Sequence, residues 1–173
     1  LVAEASTAGG IGEDERAMIA GVLRLGGRAV RAVMTPRGEI DWLDVTLDEK
    51  SIWARLETTE HSRLPAGDGT PDAIIGVIQV RELLAPLLKR KPLKIRDFVR
   101  QAPFVPDIAE ALDVLQVLRN ADVPMALVHD EYGHFEGIVT PADILDAIAG
   151  SFSSDEDEGE PESVRRDDGS FLI

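Results

Sequence analysis

Residues 75–84, Ile75-Gly76-Val77-Ile78-Gln79-Val80-Arg81-Glu82-Leu83-Leu84, return 61 positions later as Glu136-Gly137-Ile138-Val139-Thr140-Pro141-Ala142-Asp143-Ile144-Leu145. In both copies a glycine precedes a short apolar run of buried-strand composition, and an apolar pair follows at helical spacing. Working outward, the same order of elements stands around each copy. The first unit reads as a strand over 40–45, a helix bearing Ile52, Trp53 and Leu56, and a strand over 73–78. Its last helix is marked by Leu83, Leu84, Leu87 and Leu88, with an interruption at Pro86. The second reads as a strand at Phe104-Val105, a helix striped by Ala111, Leu112, Leu115 and Leu118, strands over 125–128 and 135–139, and a helix opened by Thr140-Pro141-Ala142-Asp143. A duplication at this period means two similar units packed face to face. One unit of roughly 60 residues would bury too little apolar surface by itself. The fold class is therefore α/β of the α+β kind, as two β-α-β-β-α units related by pseudo-symmetry.

Turn chemistry punctuates the pattern. Gly67-Asp68-Gly69-Thr70-Pro71 and Asp130-Glu131-Tyr132-Gly133 are turn clusters. Thr46-Leu47-Asp48-Glu49 and Asp107-Ile108-Ala109-Glu110 have capping-box spacing, which predicts side-chain caps on the helices that follow. Residues 1–30 read as a loose Gly-rich start and a connector helix, 31–91 as the first unit and 92–150 as the second. Residues 151–173 read as an acidic linker, with six acids in 155–162, and the start of a further strand-rich element.

The 173 residues carry 32 acids against 18 bases, a net charge of −14. Eight of those acids and two arginines lie in 151–173, so the body is only moderately acidic. Such a field repels phosphate backbones, so nucleic acid is not an expected partner. There is no cysteine, which excludes disulfides, thiolate metal sites and thiol nucleophiles. No apolar run approaches the ~18 residues of a bilayer span, and the start lacks the pattern of a signal peptide. Without an initiator Met, and stopping within a strand-like run, the sequence reads as a soluble fragment of a longer protein.

Paired units of this design resemble tandem CBS domains, the cystathionine-β-synthase type. Val33-Met34-Thr35-Pro36-Arg37 followed by Ile40-Asp41-Trp42-Leu43-Asp44 is similar to the opening of the pair in the CorC/HlyC family of hemolysin-related and magnesium/cobalt-efflux proteins. Ser62-Arg63-Leu64-Pro65, Asp130-Glu131-Tyr132-Gly133 and Glu15-Arg16-Ala17-Met18-Ile19 match in order. The acidic run and Asp167-Asp168-Gly169-Ser170 resemble the approach to that family's C-terminal transporter-associated domain. The resemblance implies a CBS pair on the cytoplasmic side of the inner membrane, attached to a membrane transport domain of the same full-length chain. It also implies a homodimer and an adenine nucleotide, AMP or ATP, with or without Mg2+.

Thr140-Pro141-Ala142-Asp143 admits two readings. As local structure it is a sound helix start, with a Thr cap, Pro in the first turn and an acid three residues on. As a site, it sets a hydroxyl and a carboxylate at the mouth of a cleft, where the carboxylate can accept from both ribose hydroxyls. By resemblance, Thr35 lies beside the adenine and Arg63 approaches the phosphates. The first unit departs from the pattern, with Gln79 in place of Thr140 and the longer Glu82 in place of Asp143. Only the cleft at Thr140 and Asp143 is expected to be competent. His61, His129 and His134 lack ligand spacing and read as solvated turn residues. No nucleophile–base pair, P-loop or dinucleotide fingerprint is present, so an enzyme is not expected. A regulatory nucleotide-binding module is the leading reading, and a ligand-free dimerisation module the alternative.

Overall fold

The computed structural model describes residues 12–159, and side chains to residue 150. The expectations for residues 1–11 and 160–173, including the further strand-rich element, lie outside the described residues. The chain divides into two compact parts, residues 26–144 and the flanking segments 1–25 with 145–173. In the flanking part, α1 (Glu13–Leu25) begins with Glu13, Asp14 and Glu15 and carries Arg24 in its last turn, charges that complement the helix dipole.

The body, 26–144, holds two sheets. Its elements in chain order are β1 (Thr35–Pro36), β2 (Leu43–Asp44), α2 (Glu49–Thr58), β3 (Arg63–Gly67), β4 (Ile74–Gln79), α3 (Leu84–Leu88), β5 (Phe104–Pro106), α4 (Ala111–Arg119), β6 (Ala126–His129) and β7 (Phe135–Val139). A final helix, α5 (Pro141–Gly159), starts in the body and stays helical past Ser151, where composition had suggested a linker. One sheet has the order β2-β3-β4 and the other β1-β7-β6-β5. In each, a parallel pair (β2 with β3, β5 with β6) is joined to an antiparallel hairpin. The duplicated strands β4 and β7 take equivalent places, as the internal repeat predicts.

The exchange at the edges is not visible in the repeat. β1 opens the first unit, yet it pairs antiparallel with β7 of the second, Thr35 opposite Ile138 and Pro36 opposite Gly137. In return, Arg100, near the start of the second unit, pairs with Val77 of β4, with backbone bonds of 2.8 and 2.9 Å. The repeated glycines permit both crossings. A Cβ on Gly137 would collide with the carbonyl of Thr35, and one on Gly76 with the carbonyl of Arg100. Each crossing strand thus needs a bare backbone to lie against.

Two apolar clusters stand out among the described residues. Leu43, Val45, Ile52, Leu64, Ala66, Ile78, Leu83 and Ile95 fill the first unit. The other joins Val77 of β4 to Ala102, Val123, Met125, Leu127, Phe135 and Ile138. A Leu or Ile fully withdrawn from water contributes about 1.5–3 kcal/mol. The shared cluster therefore adds to the two backbone crossings in holding the halves together.

Neither predicted capping box forms in α2 or α4. Asp48 and Glu110 occupy the cap positions without side-chain bonds. Thr46 is claimed instead by Asp44, whose Oδ1 accepts from the Thr46 amide at 2.9 Å, its hydroxyl at 2.7 Å and the Gly69 amide at 3.1 Å. The Thr46 hydroxyl bond leads the effects that hold the Asp44 carboxyl below the usual carboxylate range. The predicted strand over 40–45 shrinks to Leu43–Asp44, after a single turn of 3-10 helix at Arg37–Glu39.

Candidate functional site

Thr35, Arg63, Thr140 and Asp143, drawn from three separate segments, line one cavity of about 190 Å³. β1 brings Thr35 across from the first half. Arg63 begins β3, opposite Gln79. Thr140 and Asp143 open α5. Ile40, Pro65, Met125 and Ile138 supply apolar walls, and Glu39, Asp41 and His61 complete the lining.

The helix start is realised in full as a reciprocal cap. The Thr140 amide donates to Asp143 Oδ2 at 2.9 Å, and the Asp143 amide donates to the Thr140 hydroxyl at 3.3 Å. The local and functional readings of these residues are therefore not rivals. The cap uses Oδ2 and fixes the carboxylate, while Oδ1 has no hydrogen-bond partner among the described residues. A carboxylate oxygen held in place at a partly buried mouth is a ready acceptor for a diol.

The charges around it are unequally used. Thr59 donates to Asp41 Oδ2 at 2.8 Å, and Arg55 pairs with the same carboxylate. Arg63 makes no ion pair among the described residues, and its Nε is buried without a partner. A buried guanidinium nitrogen left unbonded costs on the order of 1–3 kcal/mol, so an anion that reaches it gains a charge-assisted bond. His61 and Arg63 also line a second cavity of about 470 Å³, with Thr59, Ser62, Gln79 and Arg81 among its walls. Two cavities therefore meet at one unpaired cation.

The equivalent lip of the first unit is built differently. Both carboxylate oxygens of Glu82 are taken by Arg100, through Nε at 2.9 Å and through a terminal nitrogen. That bonding is the leading cause that lowers the Glu82 pKa below the ordinary glutamate range. Gln79, at the place of Thr140, is 5% exposed.

The apolar walls escaped the sequence, because Ile40, Met125 and Ile138 look like any core residue until the folded chain places them around a void. Asp41 and His61 carried no spacing signal either. His129 departs from the solvated-turn reading. Its ring lies 4.9 Å from that of Phe104 and 5.9 Å from that of Phe135, with Nδ1 buried and unpartnered. His134 does sit in the turn, 2.9 Å from Asp130.

Comparison with known proteins shows what the chain is similar to. A family model described as CBS domain matches residues 95–150. The inner membrane protein YoaE of Escherichia coli K12, of the UPF0053 group, is 40% identical over 161 residues, 93% of this chain and 31% of that protein. The chain spans about a third of the length of the curated relatives it matches. Among solved structures, the CBS domain of a bacterial CNNM/CorC family Mg2+ transporter in complex with ATP is 31% identical with a TM-score of 0.69, covering 79% of this chain and 97% of that one. A CBS-domain pair with bound AMP from Klebsiella pneumoniae is 30% identical with a TM-score of 0.64, covering 70% and 98%.

Proposed function

The chain belongs to the CBS-domain family, as the CBS pair of a CorC-type membrane protein, and from that premise we propose that it is a regulatory module that binds an adenine nucleotide between β1, β3 and the start of α5. The observation that carries the reading is the convergence of Thr35, Arg63, Thr140 and Asp143 on one cavity. Asp143 Oδ1 accepts from the ribose hydroxyls. Ile40, Pro65, Met125 and Ile138 hold the base, with Thr35 at its edge. Arg63 takes the phosphates.

Size supports this division of labour. A cavity of about 190 Å³ is smaller than the ~300–1,000 Å³ of a pocket that encloses a whole drug-sized ligand. The nucleoside end is enclosed, and the phosphates pass Arg63 toward the adjoining cavity that Ser62 and Arg81 also line. No step of bond making or breaking is involved, so the module acts by binding alone.

The relatives are named for the inner membrane and for Mg2+ transport. No described helix is long and apolar enough to cross a membrane. On this reading the pair stands on the cytoplasmic side, joined to a divalent-cation transport domain, and works as a homodimer through its helix faces. The nucleotide biases the transport domain only in so far as it binds one arrangement of the pair more tightly than another.

The test is a thermal-shift series with AMP, ADP and ATP, with and without Mg2+, backed by titration calorimetry. Ligand at about 100 times its Kd stabilises by roughly 2.7 kcal/mol, on the order of 5–10 °C here. One nucleotide per chain is expected. No shift with any of them overturns the reading in favour of a ligand-free dimerisation module.

A further inference from the structure

In a chain of net charge −14, residues 84–96 hold five cations (Lys89, Arg90, Lys91, Lys94 and Arg96) and no acid. Arg96 is paired with Asp68 at 2.6 Å. The other four are exposed and make no ion pair among the described residues. They directly follow α3, on which Leu84, Leu87 and Leu88 are 53, 48 and 81% exposed.

The backbone sharpens this. The amide of Lys91 donates to the carbonyl of Pro86 at 3.0 Å and that of Arg90 to Leu87 at 3.1 Å, which closes the end of α3. Arg90 thereby takes the left-handed position of the closing turn, with φ of 50°, and is the only non-glycine with positive φ among the described residues. Glycine is the usual occupant there, since a side chain is strained. A cation kept in place of an unstrained glycine points to use rather than to folding.

We propose that this tip, from Leu84 to Lys94, docks on an anionic lipid surface. The leucines enter the boundary between headgroups and acyl chains, and the four cations lie on headgroup phosphates. The acids elsewhere on the chain do not forbid it. Salt screens exposed charges beyond about 8–10 Å, so a membrane meets the local charge of the tip. The aliphatic stems of the lysines extend the apolar footprint between the leucines. The proposal rests on the membrane attachment in the functional reading and not on its nucleotide cleft, so it is tested without nucleotide.

Flotation of the 173-residue chain is measured with vesicles of phosphatidylcholine alone and of phosphatidylcholine mixed with phosphatidylglycerol. Binding is expected only to the mixed vesicles, falling as salt is raised. A cation near the surface is worth about fivefold, so Lys89→Gln with Lys91→Gln and Lys94→Gln should weaken binding on the order of a hundredfold. Arg90→Gly separates docking from folding: its melting point should hold or rise while lipid binding drops. Leu88→Ser should also weaken binding. The proposal is overturned by equal binding to both vesicle types, by none to either, or by charge variants that bind like the parent. It is overturned as well if Leu88→Ser changes the mass of the chain in solution and leaves lipid binding intact, which would assign the leucines to a second copy. Asp143→Ala should bind vesicles normally, so a failed nucleotide cleft and a failed lipid surface are read apart.

Discussion

The lip at Thr140 and Asp143 and the lip at Gln79 and Glu82 occupy the same place in a duplicated fold, and each holds a carboxylate. They differ in what holds it. Asp143, which lines the cavity, is fixed by the backbone of its own helix start through Oδ2, and Oδ1 is left without a partner among the described residues. Glu82 is met from the front by Arg100, which takes both oxygens. The residue that crosses to each sheet decides the outcome. Thr35 arrives beside β7 with a small hydroxyl, while Arg100 arrives beside β4 with a guanidinium long enough to reach the acid. A backbone exchange that is symmetric in its hydrogen bonds is thus asymmetric in its chemistry. One cleft is left with an unsatisfied acceptor, and the other is neutralised by the chain itself.

The largest effect that can break this comparison is on binding. Asp143→Ala should abolish the nucleotide-induced thermal shift, the full 5–10 °C or so expected near 100 times Kd, with the ligand-free melting point within a few degrees of the parent. Glu82→Ala should leave the shift intact. If calorimetry finds the reverse, the competent cleft has been assigned to the wrong half. Next, Arg63→Ala should weaken AMP by about ten- to a hundredfold, since a charge-assisted bond is worth roughly 1.5–3 kcal/mol, and should leave adenosine nearly unaffected. Equal losses for both ligands would move Arg63 away from the phosphates.

The glycine crossings give the middle of the range. Gly76→Ala and Gly137→Ala each force a Cβ against a backbone carbonyl, and each should lower stability by about 1–3 kcal/mol in chemical denaturation. Their effects on nucleotide should diverge. Gly137→Ala displaces Thr35 and should weaken binding, whereas Gly76→Ala displaces Arg100 and should not. The smallest effect belongs to the Glu82–Arg100 pair. Its partners are partly exposed and screened by solvent, so Arg100→Ala should cost the least stability of these variants. Because the folded Glu82 pKa lies below that of the unfolded chain, the contribution is complete above about pH 4.3 and fades as pH falls through the folded value. The parent should therefore lose more stability on acidification than Arg100→Ala does. Parallel pH–stability curves would remove the pair from the account.

Residues 75–84 and 136–145 were enough to reveal the duplication, and the residues around them the order of elements, because strand and helix periodicity are local and a repeat needs only one chain to be seen. The helix start at Thr140 was equally local and formed as the spacing predicts. The same spacing at Thr46 and at Asp107 did not produce caps, since the helices begin later than the spacing predicts, with Asp48 and Glu110 at the cap positions, and Thr46 is bonded to Asp44 instead. The walls of the cavity were beyond sequence for a related reason. Ile40, Pro65, Met125 and Ile138 carry no chemical mark, and only the folded chain brings them around one space. What tertiary structure decided was the crossing of β1 and of Arg100 to the opposite sheets. That is a long-range pairing set by shared burial and two bare glycines, and it determines which of two nearly identical clefts keeps an open carboxylate.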